Sequence, residues 1–390
     1  MYCPIGFHTG PGGNPTGIGD YFRALDGAGR PAVLKSVDAY GFCRELAALA
    51  QKSGVPHVIV FRLSGEGVEL PDYHLPPEQA AHEHWQRILA KLPPEFAGDK
   101  EHVWLEVINE PDKGRADWLG HFMTALAELA IPDGYKICGP GWSSGEPEPE
   151  QWLEPGWIKY LVLCQYHPDQ AAISIHEYSY EPDQLRAGFG FKIGRFRQLF
   201  DACDELGMAR PAVLITEWGW AYNDLPDPNP ALSQLADIAQ MYAQHPQILG
   251  AAIWYLGSGF MGIAHKAQKL IGPLTDYAVS EHWQGNIPPR PNPAPKPWPI
   301  SNGRGRPRVQ YDRTYQVVHP SLSAAQAEAV FRAGLAQRRT TGFSFDDAAV
   351  GDLDNRTVIV FGCPAGEEAN FRNFYATHYP GVKVAFEPAP

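Results

Sequence analysis

Two glutamates follow apolar, strand-like runs about a hundred residues apart. The first run, VWLEVINE at 103–110, ends in Asn109 and Glu110 and is followed by Pro111. The second run, VLIT at 213–216, leads directly into Glu217 and Trp218. A pair of carboxyl groups can cleave a glycosidic bond, because one protonates the departing oxygen while the other attacks or stabilises the sugar carbon. The two motifs therefore suggest a carbohydrate-cleaving site.

The elements that would position these side chains alternate regularly. Strand-like and helix-like runs alternate eight times in about 280 residues, which predicts a (β/α)8 TIM barrel of the α/β class. The predicted strands are nearly continuous apolar stretches, as is typical of parallel strands covered on both faces. They span Pro4–His8, Ala32–Val37, His57–Leu63, Val103–Asn109, Lys136–Gly139, Ala172–Tyr178, Ala212–Thr216 and Gly250–Trp254. In such a barrel the active site lies at the C-terminal ends of the strands, where Glu110 and Glu217 fall.

The composition changes after the predicted barrel. We expect a catalytic barrel over residues 1–282, a Pro-rich linker over 283–310 and a small α+β module over 311–390. Tyr315–Val318, Thr357–Phe361 and Val382–Phe386 are strand-like, and Ser323 begins a predicted helix. The module's position after a linker is compatible with polysaccharide or cell-wall binding, and equally with packing against the barrel as a structural extension.

The Asn109-Glu110-Pro111 triplet on a fourth strand, with Glu217 ending a seventh, resembles clan A of the retaining glycoside hydrolases. The pattern is similar to families five and thirty-nine. The loop TGPGGNPTGIGD after the first strand matches neither, so a divergent family is a third alternative. The resemblance implies that Glu110 is the acid/base and Glu217 the nucleophile. Glu110 then needs a raised pKa, from apolar surroundings and a nearby negative charge.

The same resemblance implies roles for residues at the other strand ends. Asn109 would hydrogen-bond the sugar 2-hydroxyl, and Arg62 would hold the nucleophile by a charge-assisted fork. Tyr178 would donate to Glu217, and His176 would bind sugar hydroxyls or tune Glu110. Trp254 would form the floor of the subsite where cleavage occurs.

Aromatic residues are abundant, with 11 Trp, 17 Tyr and 18 Phe, and they suit the apolar faces of sugar rings. Those near predicted strand ends are Trp142, Tyr178, Tyr180, Trp218, Trp220, Tyr222, Trp254 and Tyr255. About half of these are expected to be ordinary core residues, while Trp218 is a candidate substrate contact. His8, at the mouth of the predicted barrel, is another.

Three alternatives stand beside the glycosidase. Either glutamate could form a structural ion pair with Arg62, or the barrel could bind saccharides without cleaving them. A metal-dependent hydrolase would need several His or Asp ligands at strand ends, and only His8 and His176 qualify. His82, Glu83 and His84 are interpreted as surface residues, since positions i and i+2 of a helix point apart. We expect no cofactor and no metal.

The overall charge limits the partners. A formal net charge of −12 disfavours nucleic acid, which prefers a basic surface. No apolar run is long enough for a signal peptide or a membrane span, so no membrane association is expected. The expected partner is an oligo- or polysaccharide substrate. The default expectations are a monomer and a cytoplasmic location, with a secreted or phage-associated location as the alternative.

Overall fold

The computed structural model describes residues 3–179, 190–220, 224–280, 314–337, 339–345, 348–349 and 356–389. Eight parallel strands close into a barrel in sequence order, which confirms the predicted TIM barrel. They are β1 (Ile5–Thr9), β2 (Val33–Val37), β3 (Val58–Arg62), β4 (Val103–Glu106), β5 (Lys136–Trp142), β6 (Ala171–Ser179), β7 (Ala212–Trp220) and β8 (Ile248–Ile253). The predicted linker and Tyr180 and Tyr222 lie outside the described residues.

The barrel is surrounded by amphipathic helices whose apolar faces pack on the strands. They are α1 (Ile18–Gly27), α2 (Gly41–Ser53), α3 (Pro77–Lys91), α4 (Phe96–Asp99), α5 (Ala116–Ala130), α6 (Pro155–Tyr166), α7 (Phe196–Leu206), α8 (Pro228–Tyr242), α9 (Ile263–Gln268) and α10 (Ile271–Val279). In α2, for example, the buried residues are Cys43, Leu46, Ala47 and Ala50, the spacing that predicted this helix. Within the described residues, no helix combines the length and the apolar character needed to cross a membrane.

The interior of the barrel changes from apolar to polar along the strands. Toward the N-terminal ends of the strands, the interior is a cluster of small and branched side chains that includes Val33, Val60 and Leu214. Because alternate residues of a strand share a face, the inward residue two positions further is Lys35, Arg62 or Thr216. These three polar residues are also buried. The barrel therefore presents buried polar groups toward the carboxyl ends of its strands.

The C-terminal module contains a second sheet. Its four parallel strands have the order β10 (Thr340–Gly342), β9 (Thr314–Val318), β11 (Thr357–Phe361) and β12 (Lys383–Glu387). Helices α11 (Ala324–Ala336) and α12 (Glu368–His378) complete the described part of the module. The three predicted strands are present, whereas the three-residue β10 is too short to show an apolar pattern in the sequence.

The module packs against the barrel through buried polar contacts. The hydroxyl of Tyr315 on β9 donates to Glu148 in the loop after β5, with an O–O distance of 2.9 Å. Arg356 donates to the other oxygen of Glu148 at 3.0 Å and lies over the Tyr315 ring, 3.8 Å from its centroid. All three side chains are buried, so this part of the interface is closed to solvent.

Candidate active site

Glu110 and Glu217 converge at the carboxyl end of the barrel. One carboxylate oxygen of each residue and a ring nitrogen of His176 all lie within 4.8 Å of one another. Glu217 is almost buried, with 10% of its side chain exposed, whereas 42% of the Glu110 side chain is exposed. One glutamate is therefore enclosed by protein while the other faces the opening, as an attacking group and a proton donor would require.

The segment after β4 holds Glu110 in a defined orientation. The strand ends at Glu106 rather than at the predicted Asn109, but the next residues stay attached to their neighbours. The Glu110 N–H donates to the carbonyl of Gly141 on β5 at 2.9 Å, and the Asn109 N–H donates to the carbonyl of Glu69 at 3.0 Å. Glu110 has a φ of 43°, a left-handed conformation that few side-chain-bearing residues adopt. Such outliers persist only where their surroundings impose them.

A β-bulge in β7 turns Glu217 into the barrel. Ile175 on β6 pairs with Ile215, but the next pair is His176 with Glu217, so Thr216 is an extra residue. In a regular strand Thr216 and Glu217 would face opposite sides of the sheet. Here both face inward, since Thr216 donates to Glu106 at 2.5 Å and Glu217 contacts Lys35 and Tyr178. The bulge therefore brings the second carboxylate into the site.

Glu217 is held by several donors. The Tyr178 hydroxyl donates to Oε2 at 2.6 Å, which is the predicted hydrogen bond. Lys35 Nζ donates to Oε1 at 3.2 Å. Arg62 and His8 also face Oε1, each at 3.7 Å. Burial raises the pKa of Glu217, but the charges of His176, Lys35, His8 and Arg62 outweigh it and hold that pKa well below the ordinary value.

The environment of Glu110 differs from the expectation that its pKa is raised. Burial does raise the pKa, and so does the charge of Glu217. The hydrogen bond and charge of His176, whose Nδ1 lies 2.9 Å from Oε1, nevertheless lower it below the ordinary value. The expectation was wrong for the free protein, because the hydrogen bonds of His176 and Ser143 and the charge of His176 outweigh the effects of burial and of Glu217.

Two predicted contacts of the site have a different geometry. Arg62 does not form a fork with Glu217: its Nη2 lies 3.7 Å from Oε1, and its Nε and Nη1 have no hydrogen-bond partner in the described part of the chain. His8 is 2% exposed and lies against Glu217, so it faces the carboxylate rather than the open mouth. In the structure it contacts the glutamate, and its contact with substrate stays a prediction.

The other predicted positions lie around the opening. Asn109 is half-buried beside Glu110, and its Oδ1 has no hydrogen-bond partner among the described residues. His176 is 1% exposed, so it can tune Glu110 but cannot present its ring to a sugar. Trp254 is half-buried and meets Tyr178 edge to face, with ring centroids 6.0 Å apart.

Of the six described aromatic residues near predicted strand ends, three are core residues, which agrees with the expectation for about half of them. Trp218 is fully buried in the core between the barrel and its helices, so its assignment as a substrate contact was wrong. The strand continues past Glu217, and Trp218 therefore points outward into the helix layer. Trp142 and Trp220 are also buried core residues. Tyr178, Trp254 and Tyr255 remain near the site, joined by Phe260 in the loop after β8.

Sequence reasoning missed several supporting residues. Lys35 is one of them, and it bonds Glu217 across 182 residues of sequence. Ser143, in the turn after β5, hydrogen-bonds Glu110. His84 is not a surface residue: it is fully buried, and its Nε2 lies 2.7 Å from the carbonyl oxygen of Val107. Only the apolar stripe of α3 around His84 signals that it faces inward.

The cluster of Glu110, His176 and Glu217 is also compact enough to surround a metal ion. Its electrostatics oppose this, because the Lys35 ammonium already bonds Glu217 and Arg62 lies nearby. His176 Nδ1 is similarly engaged with Glu110. The arrangement is better suited to proton transfer and nucleophilic attack than to holding a cation.

A separate cleft of about 950 Å³ lies between α7 and the C-terminal module. It is lined by Phe200 and Phe331 and by charged residues, among which Arg210 is paired with Asp204 and Arg332 with Glu328. None of the residues around Glu110 and Glu217 lines it. The candidate active site is therefore the barrel mouth, where the two carboxylates converge, and not this cleft.

No protein-family model matches this sequence, and no curated protein matches it significantly. Solved structures with a similar fold include N2152 from Neocallimastix frontalis, with 14% identity over 71% of this chain and 68% of that one, at a TM-score of 0.45. A GH5 xyloglucanase from Bacteroides ovatus in complex with a heptasaccharide has 12% identity over 72% and 75% of the two chains, at 0.40. A GH5_18 protein from Bifidobacterium longum subsp. infantis has 11% identity over 100% and 97%, at 0.42.

Proposed function

We propose that the protein is a retaining β-glycoside hydrolase that cleaves internal bonds of a β-linked polysaccharide. The proposal depends on one observation, the approach of a Glu110 oxygen and a Glu217 oxygen to within 4.8 Å. Retaining enzymes place their carboxyl groups about 5 to 5.5 Å apart, whereas inverting enzymes leave about 6.5 to 9.5 Å for a water molecule. The short separation supports direct attack by Glu217.

The reaction would proceed by double displacement. Glu217 is ionised and held by donors, so it attacks the anomeric carbon while Glu110 protonates the departing oxygen. A water molecule then attacks the glycosyl–enzyme, and Glu110, now a base, accepts its proton. Because the free Glu110 is 42% exposed, a bound sugar would cover it, remove water and raise its pKa. Substrate binding thereby prepares the acid.

Exposed apolar residues on two loops support a polymeric substrate. Phe260 and Met261, after β8, are 57% and 79% exposed, and the Phe260 ring centroid lies 4.5 Å from that of Trp254. Leu70, after β3, is 43% exposed and adjoins Glu69, which accepts the Asn109 N–H. Sugar rings beyond the cleavage point could stack on both sides of the carboxylates. The same site would serve a member of family five, of family thirty-nine or of a divergent family.

Glu110→Gln and Glu217→Gln test the proposal directly. Each change preserves side-chain size but removes proton transfer or nucleophilic attack. On the β-glycan that the wild type cleaves, kcat is expected to fall by about 10²- to 10⁴-fold or more. A panel of glucans, mannans and xylans with reducing-end detection identifies that substrate. Proton NMR of the first product is expected to show the β-anomer.

The experiment also separates the alternatives. If the protein binds a glycan but releases no product, and both variants keep the affinity, the barrel is a non-catalytic saccharide binder. An α-anomeric first product would instead exclude retention. Activity lost on treatment with a chelator and restored by a divalent metal would favour a metal-dependent hydrolase. Glu83→Gln, on the exterior of α3, is a control that is expected to retain full activity.

A further inference from the structure

Lys35 lies between two carboxylates deep in the barrel. Its side chain is fully buried, and its Nζ lies 2.5 Å from Glu106 Oε2 and 3.2 Å from Glu217 Oε1. The side chain of Glu106 is also fully buried. The Lys35 ammonium group is thus shared by Glu217, the proposed nucleophile, and by Glu106, which lies deeper in the barrel.

Glu106 is also held by residues other than Lys35. The Thr216 hydroxyl donates to its Oε1 at 2.5 Å, and Arg62 Nε lies 3.9 Å from its Oε2. Burial raises the pKa of Glu106, but the charges of Lys35, Arg62 and His176 together lower it below the ordinary value. Glu106 is therefore ionised, and it neighbours Glu217 through both Lys35 and the bulge residue Thr216.

We propose that Lys35 and Glu106 form a positioning pair that compensates the charge change at Glu217 during double displacement. This inference rests on the proposed function. In the first step a Glu217 oxygen bonds the anomeric carbon, the glycosidic bond breaks, and its electron pair goes to the leaving oxygen, which takes the Glu110 proton. Glu217 is then a neutral ester. Lys35 is not left unpaired, because Glu106 still neutralises it.

The second step reverses the charge at Glu217. Water bonds the anomeric carbon and gives a proton to Glu110, while the ester bond breaks and its electron pair returns to Glu217. Lys35 is again in place to stabilise the carboxylate as it forms. Such preorganised charges act strongly in a water-excluded site. Lys35 therefore assists departure of Glu217, whereas Glu106 assists formation of the ester by keeping the buried ammonium paired.

Other groups also face Glu217 and contribute to its titration. They come from several strands and their following segments: His8, Lys35, Arg62, Glu110, His176, Tyr178 and Tyr255. Of these, Lys35 is the closest cation with a hydrogen bond to Glu217. Removing it leaves the others in place, so the effect of this one charge can be isolated.

The variants Lys35→Met and Glu106→Gln test the pair with a dinitrophenyl β-glycoside of the sugar that the wild type cleaves. For Lys35→Met we expect kcat to fall on the order of 10²-fold with a lower KM. A burst of dinitrophenol should precede the steady state, because the second step becomes limiting. The acidic limb of the kcat/KM profile should move to higher pH, since a carboxylate without its cation has a higher pKa. For Glu106→Gln we expect reduced kcat/KM and no burst.

Two controls make the test decisive. Glu148→Gln breaks a buried ion pair at the interface with the module, so it should lower the unfolding temperature without altering the burst or the pH limbs. If Lys35→Met fails to fold, the double variant Lys35→Met/Glu106→Gln removes both charges together. That replacement is often close to neutral for stability. It is expected to shift the acidic limb in the same direction but by less, because loss of the Glu106 anion partly offsets loss of the Lys35 cation.

Failure of the inference differs from failure of the proposed function. If the wild type hydrolyses β-glycosides but the Lys35 variants keep the wild-type pH limbs and show no burst, the pair is only structural. If the wild type cleaves no glycoside, the proposed function fails. NMR titration of ¹³C-labelled glutamate carboxyls then still reports whether Lys35→Met raises the pKa of Glu217, and an unchanged pKa overturns the pairing.

Discussion

His176 couples the two carboxylates of the site. Its Nδ1 lies 2.9 Å from a Glu110 oxygen and 3.6 Å from a Glu217 oxygen. A positive charge there favours the ionised form of both glutamates, which suits the nucleophile but opposes the acid. We therefore expect the pH range of the proposed activity to depend on His176, and the lowered pKa of free Glu110 predicts a kcat/KM optimum on the acidic side.

Replacing His176 by Asn is expected to move the whole pH profile upward. The kcat/KM of the proposed reaction requires ionised Glu217 and protonated Glu110 in the free enzyme. Without the histidine the pKa of each glutamate rises, so the acidic limb and the basic limb both shift to higher pH. The measurement is kcat/KM on a soluble β-glycoside across the pH range.

A half-buried histidine outside the site provides the control. His245 packs against Phe196 and Phe200, and His245→Asn should leave both limbs in place. Limbs that stay unchanged in His176→Asn as well would show that the histidine does not govern the titration of the glutamates.

At the scale of elements, each carboxylate depends on an irregularity after or within a strand. Glu110 follows β4 with a left-handed backbone, and Glu217 lies just beyond a bulge in β7. Regular strands would continue their two-residue alternation and turn one of these side chains outward. The left-handed backbone at Glu110 and the bulge at Thr216 instead direct both carboxylates into the mouth of the barrel.

The loop after β8 is the element that we expect to bind additional sugar rings. Phe260 and Met261 have φ values of 47° and 52° and are held between Gly259 and Gly262, which also have positive φ. Phe260→Ala is expected to raise KM for the polysaccharide about 3- to 10-fold, the loss of one aromatic contact. Its kcat on a small aryl glycoside should change little.

Comparison of the two substrates gives this prediction its control. Tyr166→Ala removes another exposed aromatic residue, at the end of α6, and should leave both KM values unchanged. If Phe260→Ala instead lowered kcat on both substrates equally, the loop would act on the reaction itself and not on the binding of extra rings.

At the scale of the whole molecule, the module and the barrel share a buried charge cluster. Glu148 accepts from Arg356 and Tyr315 and lies 3.8 Å from Arg195, which is 3% exposed. Removing one partner of such a cluster leaves the remaining buried charges incompletely compensated. The contacts support a structural role for the module, and they predict that the two parts stabilise each other.

Arg356→Met is therefore expected to lower the free energy of unfolding by about 3 to 5 kcal/mol. Denaturant unfolding followed by tryptophan fluorescence measures the change, since the barrel carries most of the tryptophans. Arg372→Ala breaks an exposed pair with Glu368 and should cost less than about 1 kcal/mol. Equal, small losses in both variants would show that the interface contributes little.

The fold and the two central glutamates could be predicted because their signals are local. Strands covered on both faces are continuous apolar runs, so the eight barrel strands were recognisable to within a few residues. Asn109-Glu110-Pro111 and Glu217 lie directly after such runs or within them. The hydrogen bond from Tyr178 to Glu217 was predicted from the resemblance to clan A, and the structure contains it. Each of these apolar runs and the glutamate in or after it can be recognised in a short stretch of sequence.

The network of charged residues around Glu217 could be recognised only in the folded chain. Lys35 and Glu217 are 182 residues apart, and no local pattern links them. The bulge at Thr216 interrupts the period of two, so the inward position of Glu217 and the outward burial of Trp218 could not be read from alternation. The lowered pKa of Glu110 likewise depends on where His176 meets it. Local sequence encodes periodicity and strand ends, whereas electrostatics depends on distances between strands that only barrel closure brings together.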